Sequence, residues 1–160
     1  MKTFQALLVF CSFLYACQGN KSNPAEADEK LRAQADELAH KFILADTHVD
    51  LPYRLQIKHF RLEREYMGIP VSTTEGDFDY ERAKKGGLDA PFMSIYIPSD
   101  YQLKPDNGKN LADTLINMIE GIVAAHPDKF ALAVTPQDIE SNSKEGKISL
   151  PLGMENGAPI

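Results

Sequence analysis

Apolar residues recur along the chain at two spacings, one typical of helices and one typical of strands. The helical spacing predicts a helix from Pro24 to Phe42 and another from Asn110, its N-cap, to His126. The apolar positions of the first helix are Leu31, Ala35, Leu38 and Phe42. Two shorter helices are predicted at residues 78–85 and after a Thr135 cap.

Apolar runs between these helices predict strands, and the run at residues 90–97 predicts a buried one. The runs cover residues 43–50, 90–97, 130–134 and 148–154. Strands that alternate with helices are typical of right-handed crossover units and a parallel sheet. The predicted fold class is therefore α/β.

The composition is that of a globular domain without a basic face. The chain has 160 residues, of which 43% are hydrophobic and 25% are charged, and its formal net charge is −6. Binding to nucleic acid needs a concentrated basic surface, whereas the basic residues here are scattered. The sequence therefore gives no support to nucleic acid as a partner.

The first residues have the pattern of an export signal. Lys2 precedes an apolar run from Phe4 to Ala16, which is too short for a comfortable membrane span. The segment Leu14-Tyr15-Ala16-Cys17 is similar to a bacterial lipobox, in which the Cys is acylated and becomes the N-terminus. An ordinary secretory signal with a chance Cys is the alternative.

The lipobox interpretation fixes the expected organisation of the chain. Residues 1–16 would be a lipoprotein signal peptide, residues 17–24 a tether and residues 25–160 the folded domain. Acyl chains on Cys17 would anchor the exported protein to a membrane. Gln18 after the Cys favours the outer membrane in a bacterium with two membranes.

Three candidate metal ligands follow predicted strands. His48 and Asp50 are two positions apart, so they face the same side at the end of the first strand. Glu155 follows the last strand, and functional residues of parallel α/β folds collect at such carboxyl ends. Imidazole and carboxylate groups are ligands of Zn²⁺. From the residues alone, His48 and Asp50 could instead form a strand-end ion pair or a solvated turn, and Glu155 could be an acid in a polar turn.

The segment Asp46-Thr47-His48-Val49-Asp50-Leu51-Pro52 resembles the opening metal motif, Asp-x-His-x-Asp-Leu-Pro, of the membrane (renal-type) dipeptidase family. Three later segments are similar to parts of that family in the same order: Gly86-Gly87 with residues 92–96, residues 126–130, and residues 153–157. Two positions depart from the family pattern, because Val49 replaces a common Asn and Asn156 replaces a common Gly.

The resemblance implies the N-terminal part of a (β/α)₈ TIM-type metal-dependent hydrolase barrel, incomplete in this chain because a whole barrel takes about 250 residues. It also implies a site with two Zn²⁺ ions that cleaves dipeptides. His48 and Asp50 would bind the first zinc, and Glu155 would bridge both. The remaining zinc ligands and the acid/base residue would lie beyond residue 160, so no catalytic residue is expected within the chain.

We therefore expect a zinc-dependent dipeptidase whose 160 residues alone hydrolyse no dipeptide. Its expected partners are a dipeptide substrate and, through the lipid anchor, a membrane, and a homodimer is a further candidate assembly. A non-catalytic surface lipoprotein that binds peptide or metal through a degenerate site is the alternative. A different amidohydrolase activity is a third possibility.

Overall fold

The computed structural model describes residues 24–57, 70–74, 76–157 and 159. The expected signal peptide and Cys17 lie outside the described residues. Contacts divide the chain into two compact units, Met1–Ala35 and Asp36–Ile160. The described part of the first unit is helical, and the strands of the described residues belong to the second unit.

Helices and strands alternate through the second unit, as the spacing of apolar residues predicts. In chain order the elements are α1 (Pro24–Lys41), β1 (Leu44–Val49), α2 (Leu51–Ile57), α3 (Tyr80–Gly86), β2 (Leu88–Tyr96), a 3₁₀ helix (Ser99–Leu103), α4 (Asn107–Ala125), β3 (Phe130–Leu132), α5 (Pro136–Lys144), β4 (Ile148–Leu150) and β5 (Leu152–Glu155).

The sheet that carries the candidate ligands has the order β1-β2-β5, and both of its strand pairs are parallel. Val49 lies beside Met93 of β2, and Glu155 lies beside Tyr96 of the same strand. The carboxyl ends of β1 and β5 therefore flank the central strand at one edge of the sheet. The prediction of a parallel sheet is confirmed.

The predicted single strand at residues 148–154 is wrong in one respect, because it consists of two strands. β4 pairs with β3 in a second parallel sheet, while β5 pairs with β2. Pro151 stands between them and has no N–H with which to continue a ladder. Its carbonyl oxygen accepts a hydrogen bond from the Met93 N–H at 2.8 Å, and pairing with β2 begins there.

The core lies between α4 and the strands, and α4 supplies its predicted apolar face. Buried residues form one cluster that includes Met93, Ile119 and Phe130, and a second that includes Ile95 and Leu115. By contrast, the predicted apolar stripe of α1 stays exposed where it belongs to the second unit, since Leu38 is 53% exposed and Phe42 is 58% exposed.

The N-cap predicted for α5 is found in the structure, whereas the N-cap predicted for α4 is not. Thr135 is the N-cap of α5, as predicted, and it forms a capping box with Asp138. The predicted N-cap of α4 at Asn110 is wrong, because the helix already begins at Asn107 and Asp106 is its N-cap. The Asn110 N–H donates to the Asp106 carbonyl oxygen at 2.8 Å, so Asn110 lies within the first turn.

Candidate metal centre

The first two candidate ligands lie where β1 passes into α2. His48 is the penultimate residue of β1, and Asp50 lies between β1 and α2. The pairing of β1 with β2 is irregular between Asp46 and Val49, and the Asp46 carboxylate accepts a hydrogen bond from the His48 N–H at 3.0 Å. This bond fixes the backbone from which the imidazole projects.

Glu155 is held at the end of β5 by the central strand. The Ser94 hydroxyl donates to Glu155 Oε2 at 2.7 Å, and Ser94 is only 3% exposed. The Ile97 N–H donates to the Glu155 carbonyl oxygen at 3.2 Å. Both the side chain and the backbone of Glu155 are therefore positioned by β2 and the residue that follows it.

The three candidate ligands converge at this edge of the sheet. His48 Nε2 lies 3.1 Å from Asp50 Oδ1 and 3.3 Å from Glu155 Oε2. One ligand atom from each residue lies within 4.8 Å of the others. The side chains are 52%, 62% and 43% exposed respectively, so they remain accessible from solvent.

The donor set fits a zinc ion in both chemistry and spacing. One imidazole nitrogen and two carboxylate oxygens are zinc ligands, and ligand atoms around tetrahedral zinc are about 3.4 Å apart. The two separations from His48 Nε2 are close to that value. Among the described residues, this is the one group of three such side chains.

A groove of about 380 Å³ adjoins the ligands and is lined by Asp50, Tyr53, Arg54, Tyr96 and Glu155. The rings of Tyr53 and Tyr96 meet edge to face, with centroids 4.9 Å apart. Burial of Tyr53 raises the pKa of its phenol, with a smaller contribution from Tyr96. Another cavity, of about 440 Å³, is lined mainly by apolar side chains and contains none of the three candidate ligands.

Helix α2 brings Tyr53 and Arg54 to this groove, and the sequence analysis did not predict it. From the sequence, Pro52 is expected to end the strand, whereas it lies in the first turn of α2, where a missing N–H costs nothing. Leu51 and Leu55 are four positions apart and both buried. That spacing, together with a Pro at the second position, is the signal that could have identified the helix.

The two other described histidines have structural positions, as expected from their places at helix ends. His40 Nδ1 lies 2.9 Å from the Asp36 carbonyl oxygen, and Nε2 lies 3.2 Å from that of Lys84. These two carbonyls raise the pKa of His40. His126 is the C-cap of α4. His59 lies outside the described residues.

The two departures from the family pattern suit their surroundings. Val49 packs against the main buried cluster. Asn156 has φ of 74°, in the left-handed region that Gly and Asn tolerate best. Its Nδ2 donates to the Ile97 carbonyl oxygen at 2.7 Å, and its Oδ1 accepts from Gln102 Nε2 at 3.1 Å. Asn156 thus ties the end of β5 to the end of β2.

Residues 32–160 match the family model described as membrane dipeptidase, peptidase family M19. The chain belongs to this family. Membrane dipeptidases of family M19 are metal-dependent hydrolases, so the predicted family and its dependence on a metal are confirmed. None of the helices within the described ranges is both long enough and apolar enough to cross a membrane.

Among relatives, dipeptidase 3 of Mus musculus is 30% identical over 131 residues, which are 82% of this chain and 25% of the mouse protein. Dipeptidase ataJ of Aspergillus terreus is 25% identical over 130 residues, which are 76% of this chain and 31% of the fungal protein. The chain therefore spans between a quarter and a third of the length of the curated relatives it matches.

Solved structures show the same fold. The probable dipeptidase PvdM from Pseudomonas aeruginosa superposes with a TM-score of 0.64 at 22% identity, over 82% of this chain and 32% of that one. A metallo peptidase from Rhodobacter sphaeroides gives a TM-score of 0.62 at 20% identity, over 74% and 39%. The prediction that these residues form part of an M19 dipeptidase barrel is confirmed.

The contact between Ser94 and Glu155 yields a testable expectation. Partners that orient a metal ligand typically contribute 10- to 100-fold to metal affinity. We expect Ser94→Ala to weaken zinc binding by about that factor, because Glu155 Oε2 loses the hydroxyl that holds it. Competition with a chromophoric chelator measures the affinity.

Ser149→Ala is the matched control for this substitution. Ser149 is also a fully buried strand serine, but its hydroxyl accepts from Asn142 Nδ2 and does not touch Glu155. Zinc affinity should be unchanged in this variant. Equal losses of affinity in the two variants would show that the Ser94 contact has no particular role.

Proposed function

We propose that the whole protein carrying this chain hydrolyses dipeptides, and that His48, Asp50 and Glu155 hold zinc for that reaction. The observation that carries the proposal is the convergence of three donor atoms within 4.8 Å at the carboxyl ends of β1 and β5. The relatives described as dipeptidases support it, as does the Rhodobacter structure, whose ligand is a phosphinate mimic of the dipeptide L-Ala-D-Ala.

Each residue of the centre has a distinct part in this proposal. His48 would supply Nε2 to the ion, and Asp50 would supply a carboxylate oxygen beside it. Glu155 is the proposed bridge between two zinc ions, with Ser94 fixing its carboxylate. Bound zinc polarises a carbonyl and lowers the pKa of water to about 7, which gives a nucleophile at neutral pH.

The groove beside the ligands suits a small peptide. Tyr53 and Tyr96 provide an apolar wall immediately next to Asp50 and Glu155. Apolar walls with a few placed polar groups are typical of small-molecule sites. A dipeptide lying here would have its amide bond within reach of the centre and one side chain against the tyrosine rings.

The described residues provide donors for one zinc and the bridge, and no second group of three such ligands. Because the chain spans only a quarter to a third of the curated relatives it matches, we infer that residues outside this chain complete the two-zinc site and that the 160 residues alone hydrolyse no dipeptide. We also retain the proposals of a signal peptide at residues 1–16, a lipidated Cys17 and an exported, membrane-anchored protein. They rest on the sequence pattern alone.

A chelation experiment tests the proposed function. The whole protein is assayed with a panel of dipeptides, stripped with a chelator and reloaded with Zn²⁺. We expect hydrolysis to fall below one hundredth after stripping and to return with zinc, because the nucleophile depends on the metal. The 160-residue chain, assayed in parallel, should bind zinc without hydrolysis.

Two outcomes would contradict the proposal. Full hydrolysis by the stripped protein would exclude the metal-dependent reaction. Zinc binding by the whole protein without hydrolysis of any dipeptide would favour the non-catalytic lipoprotein instead.

A further inference from the structure

The part of α1 that belongs to the second unit ends beside the carboxyl end of α3. His40 lies in the last turn of α1, and Lys84 lies in the last turn of α3. A Cβ added to Gly87, the C-cap of α3, would lie only 2.5 Å from the Ala39 carbonyl oxygen. The carboxyl end of a helix has unpaired carbonyl groups and a partial negative charge, so two such ends repel each other unless a cation lies between them.

The His40 imidazole lies between these two helix ends, with a backbone carbonyl oxygen at each of its ring nitrogens. Nδ1 is 2.9 Å from the Asp36 oxygen, and Nε2 is 3.2 Å from the Lys84 oxygen. A carbonyl oxygen can only accept, and a neutral imidazole has one N–H to donate, whereas the imidazolium has two. Both contacts are therefore hydrogen bonds only when His40 is protonated.

The surroundings of His40 favour the imidazolium on balance. Asp36 Oδ1 lies 3.6 Å from Nδ1. A cavity of about 190 Å³ adjoins the ring, and its charged lining residues are Lys41 of α1, Lys84 of α3 and Asp89 of β2, while α5 contributes the neutral Ser143. The carbonyl groups of Asp36 and Lys84 raise the pKa of His40, and desolvation and the Lys84 ammonium oppose them without cancelling the rise.

The position of His40 in the fold links it to solvent and to two paired strands. Its side chain is 46% exposed, so its protonation follows the pH of the solvent. The helix ends that it joins lie just before β1 and β2, whose first residues, Leu44 and Leu88, are register partners. His48 and Asp50 lie at the opposite end of β1. A change at His40 therefore acts on the packing of the helices and does not touch the zinc donors.

We propose that Asp36, His40 and Lys84 form a clasp that holds α1 against α3 while the imidazole is protonated and weakens once it is neutral. In the neutral form, one ring nitrogen has no proton, and its lone pair faces a carbonyl oxygen. Because the folded-state pKa of His40 is raised above the ordinary value of 6.5, the stabilisation is fully present below pH 6.5 and is lost as the pH rises through the raised pKa. The clasp does not depend on the proposed dipeptidase activity.

Hydrogen–deuterium exchange at the end of α1 tests the clasp. The whole protein and its His40→Gln variant are compared at about pH 5.5 and about pH 9, with mass spectrometry of peptides that cover residues 36–44. Gln cannot be protonated, and its amide can donate to a carbonyl oxygen at either pH. Comparison of the two proteins at the same pH removes the intrinsic effect of pH on amide exchange.

We expect this segment to exchange about 2- to 5-fold faster in His40→Gln than in the parent at the lower pH, the range for a charge at an exposed helix end. At the higher pH the two proteins should exchange alike, because the parent has lost its charge. A difference of the same size at both pH values, or none at either, would overturn the proposal.

His126→Gln is the matched control, because it replaces the histidine at the carboxyl end of α4. Exchange of residues 36–44 should equal that of the parent at both pH values in this variant. An acceleration as large as that in His40→Gln would show that the effect does not come from the clasp and would count against it.

A titration of the parent protein gives a second, independent measurement. Histidine ring resonances are followed by NMR across the pH range, and the one that is missing from His40→Gln is assigned to His40. Its midpoint should lie above the ordinary value of 6.5, with both ring nitrogens protonated below the midpoint. A midpoint at or below 6.5 would overturn the clasp.

Discussion

Replacing Glu155 with Gln should lower kcat/KM for dipeptide hydrolysis by the whole protein by a factor of about 1,000 or more. The proposed bridging carboxylate would lose its charge, and the contribution of zinc to such a reaction is several kcal/mol, with about 1.4 kcal/mol per tenfold change in rate. The neutral amide retains the size of the side chain. It can still accept from Ser94, so the fold should persist.

Two measurements on this variant are needed. Steady-state kinetics give kcat/KM, and elemental analysis after dialysis gives the zinc content, which should fall together with activity. Glu37→Gln is the control, because it removes one acidic charge from the exposed surface of α1. Parental activity and full zinc content in Glu155→Gln would show that Glu155 is not a ligand.

The second large effect is on stability, at Gly87. This residue is the C-cap of α3, has φ of 76°, and a Cβ added there would lie 2.5 Å from the Ala39 carbonyl oxygen. Gly87→Ala has two costs, which add. The left-handed backbone costs about 1–2 kcal/mol. The overlap with the backbone of α1 costs about 1–3 kcal/mol. We expect the free energy of unfolding to fall by about 3 kcal/mol.

Gly146→Ala separates these two costs. Gly146 has φ of 75°, almost the same as Gly87, but a Cβ added there would have no neighbour within 4 Å. It should therefore show only the backbone cost, about 1–2 kcal/mol. Urea unfolding followed by circular dichroism measures both variants. Equal losses of unfolding free energy in the two variants would mean that the ends of α1 and α3 move apart without cost.

The fold class and the three candidate ligands were predictable because their signals are local. Apolar runs define β1 and β2, and His48 and Asp50 stand two positions apart at the carboxyl end of β1. Glu155 was identifiable because a strand delivers it at its carboxyl end. The structure brings these residues together, and their role as zinc ligands stays a prediction.

The features that were missed depend on pairing between distant segments. Ser94 reaches Glu155 only because β2 and β5 are in a register that places Ser94 beside Gly153. The division between β4 and β5 at Pro151 likewise reflects two different partner strands. No pattern within a short window carries information of this kind.

Arg54 illustrates a third reason why sequence patterns fall short. Arg54 lies in a segment that also contains Lys58, Arg61 and Arg64, a composition typical of a solvated surface. The structure shows that this segment begins with helix α2, in which Leu51 and Leu55 are buried. The helix places Arg54 in the groove. Whether a cation is paired or unpaired is decided by neighbours that only the folded chain brings near.

The most direct test of the metal centre is a crystal of the protein grown with zinc, with diffraction measured just above and below the zinc absorption edge. The account predicts an anomalous difference peak about 2.0–2.2 Å from His48 Nε2, an Asp50 oxygen and a Glu155 oxygen. A zinc peak elsewhere, with these three side chains paired only to one another, would contradict it.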